Sequence, residues 1–310
     1  MKLFITGGNG FIGHFMTQEL ASRGVELVVY DILPPKKRLP GVTYVLGTIL
    51  DPFFMTRHMK GCDGVLHLAA MMGVQNTDND ILGTMTVNLQ GSIFVLQAAQ
   101  WANMEYLLMT SSSEVFGDMA NGESQTPFNP KSCYAASKLA SEFYLKGFHK
   151  EYGLDYNIVR FFNIYGPGQS DNFVATRFIR RALAGQAPQV YGDGRQVRSF
   201  CHVSDACRAT ADIITNRKCV NQEFNIGNDL EPLTILELAK KVTQLCGNGL
   251  EPKLVSYAES DRTESREIFS RIPDISILRD MLGYQPEICL DDGLMNLVEA
   301  ERNPVEPVCA

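Results

Sequence analysis

A tyrosine and a lysine stand four residues apart in Tyr134-Ala135-Ala136-Ser137-Lys138. On a helix that spacing places the phenol and the ammonium on one face. A phenol whose pKa is drawn toward neutral can serve as a general base, and a nearby ammonium favours its ionised form. Shortly upstream lies Thr110-Ser111-Ser112-Ser113-Glu114, which adds hydroxyls able to share and orient a substrate proton, together with a carboxylate. Three adjacent serines leave open which one takes that part. A plain strand-end turn, where serine is common, is the alternative.

A second group of residues points to what such a base would work beside. Gly7-Gly8-Asn9-Gly10-Phe11-Ile12-Gly13 follows the apolar run Leu3-Phe4-Ile5 and opens a helix. Missing side chains let the backbone approach a pyrophosphate, and the helix N-terminus offers free N–H groups and partial positive charge. Asp31 ends the next strand, where a carboxylate can accept from adenosine ribose hydroxyls and repels a 2′-phosphate. No arginine adjoins it, so the expected cofactor is NAD rather than NADP. The alternative is a tight turn that Asp31 merely caps.

The elements that must position these groups alternate. Apolar residues at helical spacing predict a helix over Phe11 to Ser22, and strands are read at Glu26 to Tyr30, Gly64 to Ala70 with its exit turn, Tyr106 to Met109 and Tyr156 to Arg160. Helices are read at Asn88 to Ala102 and Ala135 to Tyr152. Strand-helix alternation implies right-handed crossovers and a Rossmann-type parallel α/β sheet with helices on both faces. Past Gly166 the pattern loosens, with Gly166-Pro167-Gly168 and the glycines from Gly185 to Gly194. A capping box opens a later helix at Thr234-Ile235-Leu236-Glu237. The expected division is a cofactor-binding domain over 1–165, completed by about 195–225. A smaller mixed α/β substrate lobe takes 166–194 and 226–310.

Composition narrows the class. The 310 residues are 45% hydrophobic and 20% charged, with net charge −7. No basic run exceeds Lys36-Lys37-Arg38, which argues against a nucleic-acid surface. No apolar run is read as a membrane span, and the N-terminus leaves no room for a signal peptide. Eight scattered cysteines without a Cys-x-x-Cys pair read as reduced thiols of a cytoplasmic protein and hold no zinc motif, so no metal is expected. Cys133, Met71, Met72 and His202 read as packing or structural hydrogen bonding.

The glycine spacing, Asp31 and the Tyr134/Lys138 pair together resemble the extended short-chain dehydrogenase/reductase family, in its nucleotide-sugar epimerase/dehydratase branch. Further pieces fit in order: His67-Leu68-Ala69-Ala70, Thr110 to Gly117, Arg160 to Pro167, and Val190-Tyr191-Gly192-Asp193-Gly194 followed by Arg198. The resemblance implies an NAD-dependent enzyme that acts on a nucleotide-diphosphate sugar, UDP-linked, through a transient 4-keto sugar. Tyr134 would be the base, Lys138 would hold the nicotinamide ribose, and Ser112 would fill the family's catalytic position. The implied cofactor contacts are Gly7, Gly10, Phe11, Ile12, Gly13, Asp31, Thr48, Ile49, Leu68, Ala69 and Ala70. Thr48 stands where the family often has Asp, which implies weaker adenine contacts. Asn163, Tyr191, Arg198 and Arg262 match substrate-binding positions. Arg198 has a second reading, a sugar carboxylate, and Arg262 a second one, surface pairing among acidic neighbours.

Glu114 before Val-Phe-Gly bears on the reaction, its alternative being a purely hydrogen-bonding role. Sequences with Glu there look like 4,6-dehydratases and UDP-glucuronate decarboxylases. The dehydratases add Asp immediately before it as acid for a departing hydroxyl, where this chain has Ser113. Ser113-Glu114 is therefore closer to the decarboxylase pattern, with a 4-epimerase acting on UDP-glucose, UDP-N-acetylglucosamine or UDP-glucuronate next and a 4,6-dehydratase after it. A non-catalytic NAD-sensing scaffold should have lost Tyr134 or Lys138. The resemblance also implies a homodimer that pairs the helices near 88–102 and 135–152.

Overall fold

The computed structural model describes residues 1–72, 77, 79–119, 126–216, 219–259 and 268–303. Arg262 lies outside the described residues.

Short apolar runs flanked by turn residues become the strands. These are β1 (Lys2–Thr6), β2 (Glu26–Asp31), β3 (Val42–Leu46), β4 (Gly64–His67), β5 (Tyr106–Ser112), β6 (Asp155–Phe161), β7 (Ile164–Tyr165), β8 (Gln189–Tyr191), β9 (Val197–Arg198), β10 (Cys201–His202), β11 (Gln222–Ile226), β12 (Leu233–Thr234), β13 (Lys253–Val255) and β14 (Ser270–Arg271). Seven of them form one sheet in the order β11-β6-β5-β4-β1-β2-β3, with every pairing parallel. The order reverses between β1 and β4, and in such sheets ligands bind outside the carboxyl ends of the strands at that point.

The described helices are α1 (Phe11–Ser22), α2 (Pro52–Met59), α3 (Ile81–Trp101), α4 (Cys133–Tyr152), α5 (Val174–Leu183), α6 (Val203–Thr215), α7 (Ile235–Cys246), α8 (Ser276–Leu282) and α9 (Leu290–Arg302). Side chains alternate across the sheet. Leu3 and Ile5 pack with Met16 and Leu20 of α1 and with the apolar side of α6. Phe4, from the intervening position, packs on the other face with Met55 of α2 and Val95 and Leu96 of α3. Fully burying side chains of this size stabilises the fold by roughly 1.5–3 kcal/mol each. A third core joins α5, α7 and α9 with Val190 of β8 and makes the smaller lobe. The other described strands form three small sheets, β10-β7, β12-β9-β14 and β13-β8, of which β7 and β10 pack through Ile164 and Cys201 in the core shared with α1 and α6.

Two elements differ from the sequence expectation. α3 begins at Ile81, not Asn88, because Asp80 caps it by accepting from the Gly83 N–H, and a π turn at Thr86–Gln90 carries it into the predicted stretch. So extended, it is 21 residues long with a hydropathy of 1.2, enough on length and composition to cross a membrane, contrary to the expectation of no such run. In the structure it packs on α2 and α4. β5 runs on to Ser112, so Ser111 and Ser112 are strand residues rather than turn residues. All of β5 is buried, and the serines at its end read as a turn because serine is a common turn residue.

Candidate active site

A cavity of about 1240 Å³ opens at the switch point. Pockets for one small ligand run to roughly 300–1,000 Å³, so this one has room for two. Gly7, Gly10, Phe11, Ile12, Gly13, Asp31, Thr48, Ile49, Leu68, Ala69 and Ala70 all line it. So do Ser112, Ser113, Glu114, Tyr134, Lys138, Asn163, Tyr191 and Arg198. Only Arg262 among the expected site residues is not placed.

The glycine turn is built for a close neighbour. A Cβ on Gly13 would lie 2.1 Å from the Gly7 carbonyl oxygen, and one on Gly7 would lie 2.6 Å from the Ala69 nitrogen. Gly10 occupies the N-cap of α1 with no side-chain cap, so the first-turn N–H groups are not taken by a capping side chain. Both Asp31 carboxylate oxygens accept from backbone, Oδ2 from the Asn9 N–H and Oδ1 from the Leu33 N–H, each at 2.9 Å. Asp31 thus caps the turn, and each oxygen keeps a further lone pair for a ribose hydroxyl. Thr48 uses its hydroxyl locally, accepting from the Leu50 N–H. These residues fit a dinucleotide.

Tyr134 sits in the first turn of α4, whose N-cap Ser132 accepts from the Ala135 N–H at 3.1 Å. Ser132 also reaches the Glu114 carboxylate at 3.4 Å, which ties the helix start to the end of β5. Ser112 lines the cavity with Tyr134, and its hydroxyl is the one of the three that draws the phenol's pKa down. Ser112 also accepts from the Glu114 N–H. Ser113 is buried in the turn that follows, and the Ser111 hydroxyl is buried without a hydrogen-bond partner among the described residues.

The electrostatics differ from the expectation that Lys138 lowers the Tyr134 pKa. Burial pushes the phenol up, the Glu114 charge pushes it further, and the Ser112 hydrogen bond and Arg271 pull it down without reversing the sign. The Lys138 ammonium donates to the Thr110 carbonyl at 3.0 Å. Burial draws Lys138 itself down to about 8, with Glu142 opposing.

Arg271, Ser132 and the contact of Asn88 with Met71 escaped the sequence reading. Arg271 on β14 lies 3.9 Å from Glu114 and stands in register beside Arg198 of β9, so two cations share one wall. Its place depends on a strand pairing that local pattern does not reveal. Ser132 could have been found, since a serine before a helical run is a capping signal. Asn88, in the π turn, grips Met71 by accepting from its N–H at 2.7 Å and donating to its carbonyl at 3.0 Å. Asn163 has φ of 44° and donates its amide to the Ser199 carbonyl at 2.8 Å, so its NH₂ group also braces the β7 turn. His202 caps α6 by accepting from the Ser204 N–H. The Arg198 guanidinium donates to the Val197 carbonyl.

Behind the site, Arg160 of β6 makes a two-pronged buried pair with Glu142 of α4, at 3.0 and 2.5 Å, and also bonds Glu223. Its guanidinium lies about 5 Å from both the Phe116 and Phe128 ring centroids. One side chain therefore joins β6, the helix bearing Tyr134 and Lys138, and the segment bearing Glu114.

The model of the NAD dependent epimerase/dehydratase family matches residues 3–227. A dTDP-glucose 4,6-dehydratase of Streptomyces niveus is 30% identical over 98% of this chain and 93% of its own length. A UDP-N-acetyl-alpha-D-glucosaminuronate decarboxylase of Bacillus cytotoxicus is 32% identical over 96% and 97%. Among solved structures, the UDP-glucose 4-epimerase of Thermotoga maritima with UDP-glucose superposes with a TM-score of 0.89 at 27% identity, covering 99% of this chain and all of that one.

Proposed function

The chain belongs to the NAD-dependent epimerase/dehydratase family, is an enzyme and uses NAD, and from that premise we propose that it decarboxylates a UDP-linked uronic acid, UDP-glucuronate first, through a 4-keto sugar. The observation that carries the reading is the wall beside Tyr134. It offers Ser113, Glu114 and the Arg271 cation, with no Asp before Glu114 to protonate a departing 6-hydroxyl. The relative that acts on a glucosaminuronate supports the same class of chemistry.

Tyr134 takes the proton of the sugar 4-hydroxyl, while Ser112, on the same cavity wall, orients that hydroxyl. Bound NAD supplies the hydride acceptor for C4 and a positive nicotinamide that favours the tyrosinate. The ketone so formed at C4 is β to the C6 carboxylate. The C5–C6 bond then breaks, its electrons pass into the enolate, and CO₂ leaves. Arg271, held at the wall by Glu114, first places that carboxylate and then stabilises the enolate charge. A proton added at C5 and reduction of the C4 ketone, with Tyr134 returning its proton to the C4 oxygen, give a UDP-pentose with no net oxidation. Lys138, anchored on the Thr110 carbonyl, holds the nicotinamide ribose, and Arg198 and Asn163 bind the diphosphate.

A 4-epimerase needs only Tyr134, Lys138 and Ser112 and is the second reading, supported by the likeness to the Thermotoga maritima structure. Mass spectrometry of the products from NAD and UDP-glucuronate separates them. A UDP-pentose supports decarboxylation, and UDP-galacturonate at unchanged mass refutes it. We further propose a homodimer through α3 and α4, whose outer faces expose Ile81, Leu82, Phe143 and Tyr144.

A further inference from the structure

Behind the site lies a fully buried carboxylate that the reaction does not touch. Glu142 stands four residues after Lys138 on α4, so the two share a helix face, and Lys138 is almost as deeply buried. Lys138 lines the cavity, and its ammonium gives one of three N–H donors to the Thr110 carbonyl. Two donors remain for hydroxyls of the nicotinamide ribose. Both Glu142 oxygens are held from the other side, accepting from the Arg160 fork at 3.0 and 2.5 Å. Arg160 also bonds Glu223, which pairs with Lys146, so the guanidinium charge is divided between two carboxylates. Glu142 is therefore fixed in place and acts on Lys138 through space, as a charge rather than as a hydrogen-bond partner. Of the other elements packed on α4, β6 brings Arg160, the turn after β5 brings Glu114 and Asp118, and α3 has no titratable side chain. His67 of β4 is kept neutral by burial. Burial also draws the Lys138 ammonium down, and Glu142 is the charge that opposes it.

We propose that Glu142, clamped by Arg160, is a positioning residue that supplies the counter-charge for the Lys138 ammonium and so holds it on the nicotinamide ribose. The proposal rests on the part given to Lys138 above and deepens it. A buried ammonium with no negative neighbour gives up its proton rather than stay charged. The neutral amine would lose charge-assisted hydrogen bonds, which are roughly twice as strong as neutral ones. A direct ion pair would serve less well, because Glu142 lies one turn further along α4 from Tyr134 and would draw the ammonium away from the cavity. The Arg160 fork prevents that by occupying both carboxylate oxygens.

The test is NMR titration of the lysine ε-methylenes in the full chain, with the Lys138 signal assigned by its loss in Lys138→Met, alongside calorimetric NAD binding across the same pH range. Glu142→Gln keeps the shape and one acceptor for Arg160 but removes the charge. The Lys138 midpoint should fall by at least about 1 pH unit, the low end for loss of a nearby opposite charge. NAD affinity should weaken with rising pH in wild type, and should begin to weaken at least about 1 pH unit lower in Glu142→Gln. Glu142→Asp withdraws the charge by one methylene and should move both readings in the same direction by less; it carries the test alone where Glu142→Gln does not fold. A Lys138 midpoint unmoved in the folded variants would assign Glu142 to packing and overturn the proposal, even with lower stability toward urea. NAD affinity that weakens equally at every pH would overturn it too. Lys138→Met binding NAD as tightly as wild type defeats the placing of Lys138 on the ribose, whereas weakened binding there with no change in Glu142→Gln defeats this inference alone.

Discussion

Burial and the Glu114 carboxylate both hold the proton on Tyr134, and the Ser112 hydroxyl and Arg271 pull the other way. Glu114→Gln removes a charge that raises the phenol's pKa, so that pKa falls. The acidic limb of the kcat/KM profile should then move to lower pH; an upward shift would contradict the assignment of Tyr134 as base. Tyr134→Phe keeps the ring and removes the proton carrier. Turnover should fall by about 10²- to 10⁴-fold while nucleotide affinity, read by calorimetry, changes little. The four-residue spacing of Tyr134 and Lys138 is weak by itself and singles them out only beside the glycine turn, Asp31 and the serine cluster. Local pattern left the three serines alike and the family resemblance alone singled out Ser112, which stands at the end of β5 on the cavity wall.

At the scale of elements, the site depends on how β4, β5, β6 and α4 are locked together. The Thr6 hydroxyl, the His67 ring and the Ser92 hydroxyl form a buried chain, at 2.7 and 2.9 Å, that joins β1, β4 and α3. Burial, with Lys138 adding to it, draws His67 down to about 3. The folded histidine therefore stays neutral where an unfolded one, near 6.5, takes a proton. Its stabilisation is complete above about pH 6.5 and is lost as pH falls toward 3, by up to about 1.4 kcal/mol per pH unit. Urea unfolding between pH 7 and 4 should show that slope, and His67→Gln should flatten it. Arg160→Met leaves Glu142 buried without its partner and should cost about 3–5 kcal/mol in the same assay, whereas Arg160→Met with Glu142→Leu should recover much of the loss. Helix α1 was legible to both ends because the glycine turn starts it and Arg23-Gly24 follows it. The start of α3 was not, because Gly83 and Thr84 are weak helix formers and the capping role of Asp80 shows only when its carboxylate meets the Gly83 N–H.

For the whole molecule, the parallel order of strands brings the glycine turn, the end of β5 and the start of α4 to one crevice, and the lobe supplies the wall across it. The α/β alternation made the sheet readable, since each βαβ unit is local in sequence. The lobe was not, because β9, β12 and β14 are two-residue strands paired over long separations, and Arg271 reaches the site only through that pairing. The exposed apolar side chains of α3 and α4 should bury one another in a dimer. Light scattering should give twice the chain mass, and Phe143→Asp should shift the protein to monomer. The most direct test of the central claim is CO₂ release from UDP-glucuronate labelled at C6, with NAD present, by wild type and Arg271→Met. The structure predicts labelled CO₂ and UDP-pentose in equal amounts from wild type, and release at least about 100-fold slower from the variant, as expected when an oriented charge contact is lost at the reacting centre. Conversion of UDP-glucuronate to UDP-galacturonate with the label fully retained would contradict it.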